Sequence, residues 1–350
     1  MNHDSTRALP VDGVGLVGAG DVGQWFVAKL ARTGCEPVVY DVDDDAVAAA
    51  VEAGAVPADS PADVTSRAEV VVLSLPTRSA VEAVMEGDGG VFKTLTGGQV
   101  VVDTSTTPPD VDARYQQRCH ERGAGYVDCG ITHQGPGEFD EETGPAFTMF
   151  LGGTPEDYEQ ARPVVEALAY DHEFYEGIGN GHVVKAANRL RQVCRAVVAA
   201  EVSEFLVDNG IDPERVVDQL DWDIPAPYLD PPYPTTEGFE RAVQSDDGET
   251  EPREVSVDDD GPRTRLRTSD WASDEQYALD VAHAGNTHVP MLTASHQTMQ
   301  AAENYGAALL DRDLSFNDEA WRTFHVAAYY RATNRPQEEW RRVATSENDE

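Results

Sequence analysis

The sequence predicts an α/β fold in which a doubly wound sheet is followed by an all-helical domain. Over residues 1–177, short apolar runs alternate with amphipathic segments, which is the pattern of strands and helices in a parallel sheet. Residues 182–207 are apolar on nearly all sides, and the patterns after them are largely helical. We therefore predict a Rossmann-type domain over residues 1–177. An all-α domain over residues 178–335 would follow, built on a long buried helix between the two domains.

The elements of the first domain follow from the period of its apolar residues. Continuous apolar runs predict strands of a sheet that is covered on both faces, at 14–17, 38–40, 69–75, 100–103, 125–128, 147–151 and 174–175. Apolar residues at helical spacing predict helices at 22–30, 46–53, 77–85, 109–122 and 155–168. Their alternation predicts helices on both faces of the sheet.

A glycine-rich turn follows the first strand. Gly18, Gly20 and Gly23 have the spacing GxGxxG, and an amphipathic helix comes directly after them. Gly18 would make the tight turn, Gly20 would let a pyrophosphate approach the backbone, and Gly23 would let the helix pack against the strand. The helix N-terminus would offer free N–H groups to the phosphates. The pattern predicts a dinucleotide site at the turn residues Gly18, Ala19, Gly20, Asp21, Val22 and Gly23.

Asp41 ends the second strand and favours NAD over NADP. Its carboxylate can accept hydrogen bonds from the adenosine ribose of a bound dinucleotide. Asp43, Asp44 and Asp45 follow, with no arginine that could pair with a 2′-phosphate. Because these carboxylates would repel such a phosphate, we expect NAD as the cofactor.

The chain is strongly acidic. Its formal net charge is −38, its pI is about 4.3, and it contains three lysines, Lys29, Lys93 and Lys185. Such a surface repels itself at low salt, whereas molar salt shortens the Debye length to about 3 Å. The composition is typical of a cytoplasmic protein from a salt-accumulating halophile of haloarchaeal type, with an ordinary acidic protein as the alternative. Nucleic acid and anionic membranes are poor partners for this charge.

Targeting and metal-binding signals are few. Residues 1–10 hold no apolar segment of a secretory signal, and no run reaches the ~20 apolar residues of a membrane span. The four cysteines show no CxxC pairing, which indicates reduced thiols in a cytosol, and the nine histidines show no metal-ligand spacing. We predict no metal site.

The C-terminal half is predicted to be helical, with an acidic interruption. Helical patterns recur at 213–220, 275–284, 292–305 and 318–332. Residues 245–262 are strongly acidic and indicate a solvated insertion, and residues 336–350 form a polar tail.

Four polar residues lie on one face of the long helix. Lys185, Asn188, Arg189 and Gln192 fall at i, i+3, i+4 and i+7. A buried polar stripe is costly unless it meets partners or a ligand, so it is either an interdomain hydrogen-bond stripe or part of a site. Lysine is rare in this chain, and a buried lysine can lose its proton near neutral pH whereas arginine cannot. Lys185 is therefore a candidate general acid or base.

Six segments together resemble the β-hydroxyacid dehydrogenases. This group contains 3-hydroxyisobutyrate dehydrogenase and tartronate semialdehyde reductase, and 6-phosphogluconate dehydrogenase is a relative. The resemblance covers about residues 12–308. It is carried, in order, by GLVGAGDVG (15–23), LSLPTRSAVEAVM (73–85), VVDTSTTPPD (101–110), DCGITHQG (128–135), GHVVKAANR (181–189) and AAEVSEFLVDNGIDPE (199–214).

The resemblance implies a role for particular residues. Lys185 matches the family's catalytic acid/base, and Asn188 matches a residue that orients the substrate. Four residues match positions beside the cofactor, the last two of them near the nicotinamide: Leu75, Pro76, Ser105 and Thr106.

This sequence departs from the family pattern in the substrate pocket. Thr132, His133 and Gln134 stand where the family's substrate loop has a serine and two glycines. Thr132 keeps a hydroxyl, and His133 either binds substrate or caps the loop. Arg189 replaces the second asparagine of the lysine segment, and Ser273 replaces a later lysine. We therefore expect an altered substrate pocket beside an unaltered cofactor site.

Residues and resemblance together predict an NAD-dependent oxidoreductase of a small β-hydroxy acid. Lys185 would take the hydroxyl proton, while Thr132, Gln134 and Arg189 would hold the acid group. A 6-phosphogluconate-type decarboxylating enzyme is disfavoured because Gln192 stands where that subtype has a glutamate. A non-catalytic NAD-binding sensor is the other alternative. We expect a homodimer or homotetramer formed through the helical domain.

Overall fold

The fold is known from a computed structural model that describes residues 13–133, 139–140, 144–211, 215–216, 219 and 268–310. Several predictions lie outside these residues, namely those for Gln134, most of 213–220, the acidic insertion at 245–262, the helix at 318–332 and the tail at 336–350. The described residues form two compact units. The first runs to Asn188 and includes His283–Asn286, and the second comprises those from Arg189 to Ala282 and from Thr287 onward. The predicted domains, 1–177 and 178–335, stay a prediction.

An eight-stranded sheet dominates the first unit, in the order β10-β9-β6-β5-β4-β1-β2-β3. These strands are β1 Val14–Val17, β2 Val38–Tyr40, β3 Val56–Pro57, β4 Val70–Leu73, β5 Val100–Asp103, β6 Gly125–His133, β9 Phe147–Gly153 and β10 Asp171–Glu176. Two further strands, β7 Phe139–Asp140 and β8 Gly144–Pro145, pair with each other. All neighbours in the large sheet are parallel except β6 and β9, which are antiparallel. The predicted doubly wound sheet is therefore confirmed.

Helices cover both faces of the sheet. They are α1 Asp21–Arg32, α2 Asp44–Glu52, α3 Pro61–Ser66, α4 Arg78–Glu86, α5 Pro109–His120 and α6 Pro155–Leu168. Alternate residues of β4 enter different cores, since Val70 and Val72 pack with α1 and α6 while Val71 and Leu73 pack with α3, α4 and α5. This two-residue period within an all-apolar strand is the burial expected of a sheet enclosed on both faces.

Several features differ from the sequence prediction. The strand predicted at 125–128 continues to His133, because its second half pairs with β9 in a register that places Thr132 opposite Thr148. Segments β3 and α3 were not predicted. The helix α3 has six residues, with Ser60 accepting a hydrogen bond from the Asp63 N–H, and is too short to show a helical period.

The long helix α7, Asn180–Asp208, begins in the first unit and continues into the second. The prediction that it is buried on all sides is wrong, because exposed positions along it include Val183, Val198 and Phe205, at 39%, 43% and 69%. Its fully buried positions include His182 and Val193. A helix with apolar residues on every side does not reveal from its sequence which sides the rest of the chain covers.

The second unit also contains α8, Thr268–Ala284, and α9, Pro290–Leu310. Tyr277, Leu279 and Leu292 are buried, and the Ser295 hydroxyl contacts the Cys194 sulfur at 3.6 Å. In the portion of the chain covered by the structure, every helix is too short or too polar to span a bilayer.

Candidate active site

The glycine turn after β1 has the shape that a dinucleotide needs. Gly18 has a φ of +102°, and a Cβ there would overlap the carbonyl oxygen of Ser74. A Cβ on Gly23 would overlap the carbonyl oxygen of Gly18, so the start of α1 lies directly against the turn. At Gly20, by contrast, no described heavy atom lies within 4 Å of the Cβ position. The turn is thus closed on its protein side and open at Gly20, and these residues fit a bound pyrophosphate.

Asp41 lies against this turn. Its Oδ2 accepts a hydrogen bond from the Ala19 N–H at 2.6 Å, and its Oδ1 accepts one from the Asp43 N–H at 3.0 Å. Helix α1 starts at Asp21 with Gly20 at its N-cap and no side-chain hydrogen bond at that cap. The turn therefore presents both backbone N–H groups for phosphate and a carboxylate for a ribose hydroxyl.

The loops after β4 and β5 meet at the same end of the sheet. The Leu75 N–H donates to the Ser105 Oγ at 3.1 Å, and the Thr104 hydroxyl donates to the Leu73 carbonyl at 2.7 Å. Ser105 is buried, and Pro76 directly follows Leu75. In doubly wound sheets, ligands bind outside the carboxyl ends of the strands. The predicted cofactor positions in these two loops are therefore adjacent to one another, and they lie at the carboxyl ends of the strands, where such ligands bind.

Lys185 reaches the second of these loops. Its Nζ donates a hydrogen bond to the Thr106 Oγ1 at 2.7 Å. The approach of α7 depends on Gly130 of β6, because a Cβ there would lie 2.6 Å from the Gly181 carbonyl oxygen and 2.7 Å from the Lys185 Cβ. A lysine and a threonine predicted from segments 79 residues apart are thus in direct contact.

The predicted substrate-binding residues have different positions. Thr132 lies on β6 two residues after Gly130, and alternation along a strand puts their side chains on the same face. His133 ends the strand. Asn188 follows Lys185 by one turn of α7 within the first unit, whereas Arg189 belongs to the second unit, where its Nη1 donates to the Gln192 Oε1 at 3.4 Å.

A buried polar network lies beneath the start of α7, and sequence reasoning missed it. His182 Nδ1 lies 2.9 Å from the Asp112 Oδ2, and neither side chain is exposed to solvent. The Thr107 hydroxyl donates to the Asp112 Oδ1 at 2.7 Å. The Tyr126 hydroxyl donates to the Asp103 Oδ2 at 2.9 Å. The available signal was that Asp103 ends an otherwise apolar strand.

Asp128 of β6 caps the start of α7. Its Oδ1 accepts from the Gly179 N–H at 2.6 Å, and its Oδ2 accepts from the His182 N–H at 2.9 Å. The first N–H groups of a helix have no partner within the helix, and a negative charge near them is favourable. This carboxylate therefore holds the N-terminus of the lysine-bearing helix on the sheet.

Burial and charge act in opposite directions on His182. Burial alone would lower its pKa, but the Asp112 carboxylate, with help from Asp128 and Asp103, raises the pKa of His182 to about 9. Burial raises the pKa of Asp112 to about 6, although the His182 charge opposes that shift. Between about pH 6 and 9 the two groups therefore form a buried imidazolium–carboxylate pair.

Asp112, Asp128 and His182 are also close enough to hold a metal ion, because their ligand atoms lie within 4.8 Å of one another. Both oxygens of Asp128, however, already accept backbone N–H groups. Both oxygens of Asp112 contact side chains, those of His182 and Thr107. The donor set is used internally and fits a hydrogen-bond network better than a cation site.

Within the first unit, the sequence matches a known family. The family described as the NAD binding domain of 6-phosphogluconate dehydrogenase matches residues 13–177. A probable mitochondrial 3-hydroxyisobutyrate dehydrogenase of Dictyostelium discoideum is 28% identical over 203 residues, which are 58% of this chain and 62% of the relative. The 2-(hydroxymethyl)glutarate dehydrogenase of Eubacterium barkeri is 29% identical over 203 residues, 58% of this chain and 66% of the relative. The chain thus spans less than two thirds of the length of these relatives.

Solved structures show the same fold. The 3-hydroxyisobutyrate dehydrogenase of Mycobacterium tuberculosis, solved with L-serine, matches with a TM-score of 0.67 at 16% identity, covering 89% of this chain and 98% of that one. A 3-hydroxyisobutyrate dehydrogenase of Salmonella typhimurium gives a TM-score of 0.63 at 19% identity, with 89% and 98% covered. At such identities the likeness shows the fold alone, and it confirms the predicted fold class.

Proposed function

We propose that this chain, which is similar to the β-hydroxyacid dehydrogenases, is an NAD-dependent oxidoreductase that interconverts a small β-hydroxy acid and its semialdehyde or keto form. The observation that carries the proposal is the 2.7 Å hydrogen bond from Lys185 to Thr106. It puts Lys185, a half-buried candidate base, at the loop after β5, at the end of the sheet that also holds the glycine turn. The sheet, the turn and Asp41 support NAD binding.

The chain's own residues would handle the substrate proton. Bound NAD would supply the acceptor for the hydride. Lys185, as the uncharged amine, would accept the proton of the substrate hydroxyl at Nζ, and Thr106 would orient that nitrogen. Asn188, one helical turn away, would orient the hydroxyl. The acid group would be held by residues that include Thr132, with His133 either binding substrate or capping the loop.

The remaining substrate contacts and the assembly are also proposed. Gln134 and Arg189 would also bind the acid group of the substrate. A homodimer or homotetramer formed through the helical domain is supported by the exposure of Val198 and Phe205 on α7. A cytoplasmic location is supported by the acidic composition.

Two substitutions at Lys185 test the mechanism. Lys185→Met keeps the length of the side chain but removes the proton carrier, so turnover should fall by roughly 10²- to 10⁴-fold. Lys185→Arg should fail almost as badly, because a guanidinium stays protonated. Turnover is followed as NADH formation from β-hydroxy acids and sugar acids in molar KCl. Lys93→Met, on an exposed lysine, is the matched control and should behave as wild type.

The arginine variant decides between acid/base and structural roles. An active Lys185→Arg enzyme would show that Lys185 is a structural cation. The polar residues on this face of α7 would then be interpreted as a hydrogen-bond stripe. If no acid in the screen gives saturable turnover while NAD still binds, the non-catalytic sensor is the better description.

A further inference from the structure

The contact between Lys185 and Thr106 joins helix α7 to the loop after β5, and each partner has a buried polar residue close to it in the sequence. On the helix side, Lys185 follows His182 by three residues, so the two side chains lie on neighbouring turns of α7. On the loop side, Thr106 is followed directly by Thr107, whose side chain is fully buried. His182 and Thr107 do not belong to the proposed reacting groups, yet each is adjacent to one that does.

One carboxylate joins the two sides. The Asp112 Oδ2 contacts the His182 Nδ1 at 2.9 Å, and the Asp112 Oδ1 accepts from the Thr107 hydroxyl at 2.7 Å. The two partners are themselves 3.4 Å apart, measured from the Thr107 Oγ1 to the His182 Nδ1. Asp112 lies on α5, which belongs neither to the loop nor to α7. A third element therefore fixes the distance between the other two.

We propose that Asp112 is a positioning residue that holds Lys185 against Thr106, acting on the helix through His182 and on the loop through Thr107. A charged pair with no solvent exposure is seldom the most stable way to fill a core, since apolar residues of similar size are often as good or better. Positioning gives the pair a use, because a misplacement of about 1 Å at a reacting group can cost roughly 10²-fold in rate. The kinetic part of this inference rests on the proposed function, whereas the geometric part does not.

Kinetic variants test the loop side first. Thr107→Val removes one hydroxyl and no charge, and should lower kcat by roughly three- to tenfold, while Thr107→Ser keeps the hydroxyl and should stay within about twofold of wild type. Asp112→Ala breaks both contacts and should lower kcat by about ten- to 100-fold. Binding of ADP-ribose, which lacks the nicotinamide ring, should be unchanged in all three variants because the glycine turn and Asp41 are untouched.

The chain offers a matched control on the same helix. His120, the last residue of α5, contacts Asp157 at 2.7 Å in a second histidine–carboxylate pair. His120→Gln should lower the melting temperature without lowering kcat. If Thr107→Val and Asp112→Ala lose no more kcat than His120→Gln at a temperature where all are folded, the positioning role is wrong.

A readout without turnover separates this inference from the proposed function. Labelling with ¹³C-lysine gives three side-chain Cε signals, and Lys185→Arg identifies the one from Lys185. Thr107→Val and Asp112→Ala should shift that signal and leave those of Lys29 and Lys93 in place. An unmoved Lys185 signal would overturn the positioning role even with the mechanism intact. A moved signal in a protein where Lys185→Met keeps full turnover would overturn the mechanism and leave the positioning role standing.

Discussion

The buried pair of His182 and Asp112 predicts a pH dependence of stability with a definite sign. The pKa of His182 is about 9 in the folded protein, compared with an ordinary value of 6.5, so the folded state binds this proton more tightly. The contribution of His182 is therefore complete below pH 6.5 and is lost as the pH rises through about 9. The difference of 2.5 units, at ~1.36 kcal/mol each, is on the order of 3 kcal/mol. For a domain of this size that corresponds to roughly 6–12 °C in melting temperature.

Asp112 contributes with the same sign in a lower window. Its pKa is raised from 3.8 to about 6, so its contribution is complete below pH 3.8 and is lost as the pH rises through about 6. The step between pH 6.5 and 9.5 therefore reports on His182. Replacing His182 with glutamine keeps an amide that can donate to Asp112 but removes the group that titrates.

The assay is thermal unfolding followed by circular dichroism at pH 6.5, 8 and 9.5, in constant molar KCl. Other groups also titrate over this range, so the informative quantity is the pH-dependent fall in melting temperature of wild type minus that of His182→Gln. Equal slopes for wild type and His182→Gln would refute the existence of a buried ion pair.

Two further predictions concern the cofactor and the salt requirement. Asp41 and the acidic residues after it should give NAD at least a tenfold advantage over NADP in kcat/KM, about 1.4 kcal/mol, and equal use of both cofactors would contradict that role of Asp41. Because the net charge of −38 repels within one compact body, the melting temperature should rise between 0.1 M and 2 M KCl, and a flat profile would rule out the halophilic interpretation.

Much of the cofactor half could be predicted because its signals are local. A glycine turn, a following helix and an acidic strand end lie within 28 residues, from Val14 to Asp41, and each imposes its own backbone requirement. The helix at 155–168 was predicted with the bounds that α6 has, since Thr154 and Pro155 mark its start. The buried strands could be predicted from continuous apolar runs, because this signal is local as well.

The buried network could not be predicted, because its members are far apart in sequence. Asp112 and His182 are 70 residues apart, and no local sequence pattern links the two. In an acidic chain, one more aspartate on an amphipathic helix is expected at the surface, and only the packing of α5 against β6 and the start of α7 buries it. The length of β6 was missed for a similar reason, since its second half depends on pairing with β9.

The sheet register explains why the lysine-bearing helix begins where it does. Val17, Leu73, Asp103 and Asp128 are successive partners across β1, β4, β5 and β6, so the first three of these strands end at one level. Of these four strands, only β6 continues beyond that level, to His133. Asp128 stands at the level itself and accepts the first N–H groups of α7, so the helix starts where the cofactor edge of the sheet lies. Three residues along a helix rise about 4.5 Å, which carries Lys185 past His182 toward Gly130 and the loop of Thr106. The Asp128 carboxylate therefore fixes where α7 starts relative to the sheet, and in this way it also fixes the position of Lys185.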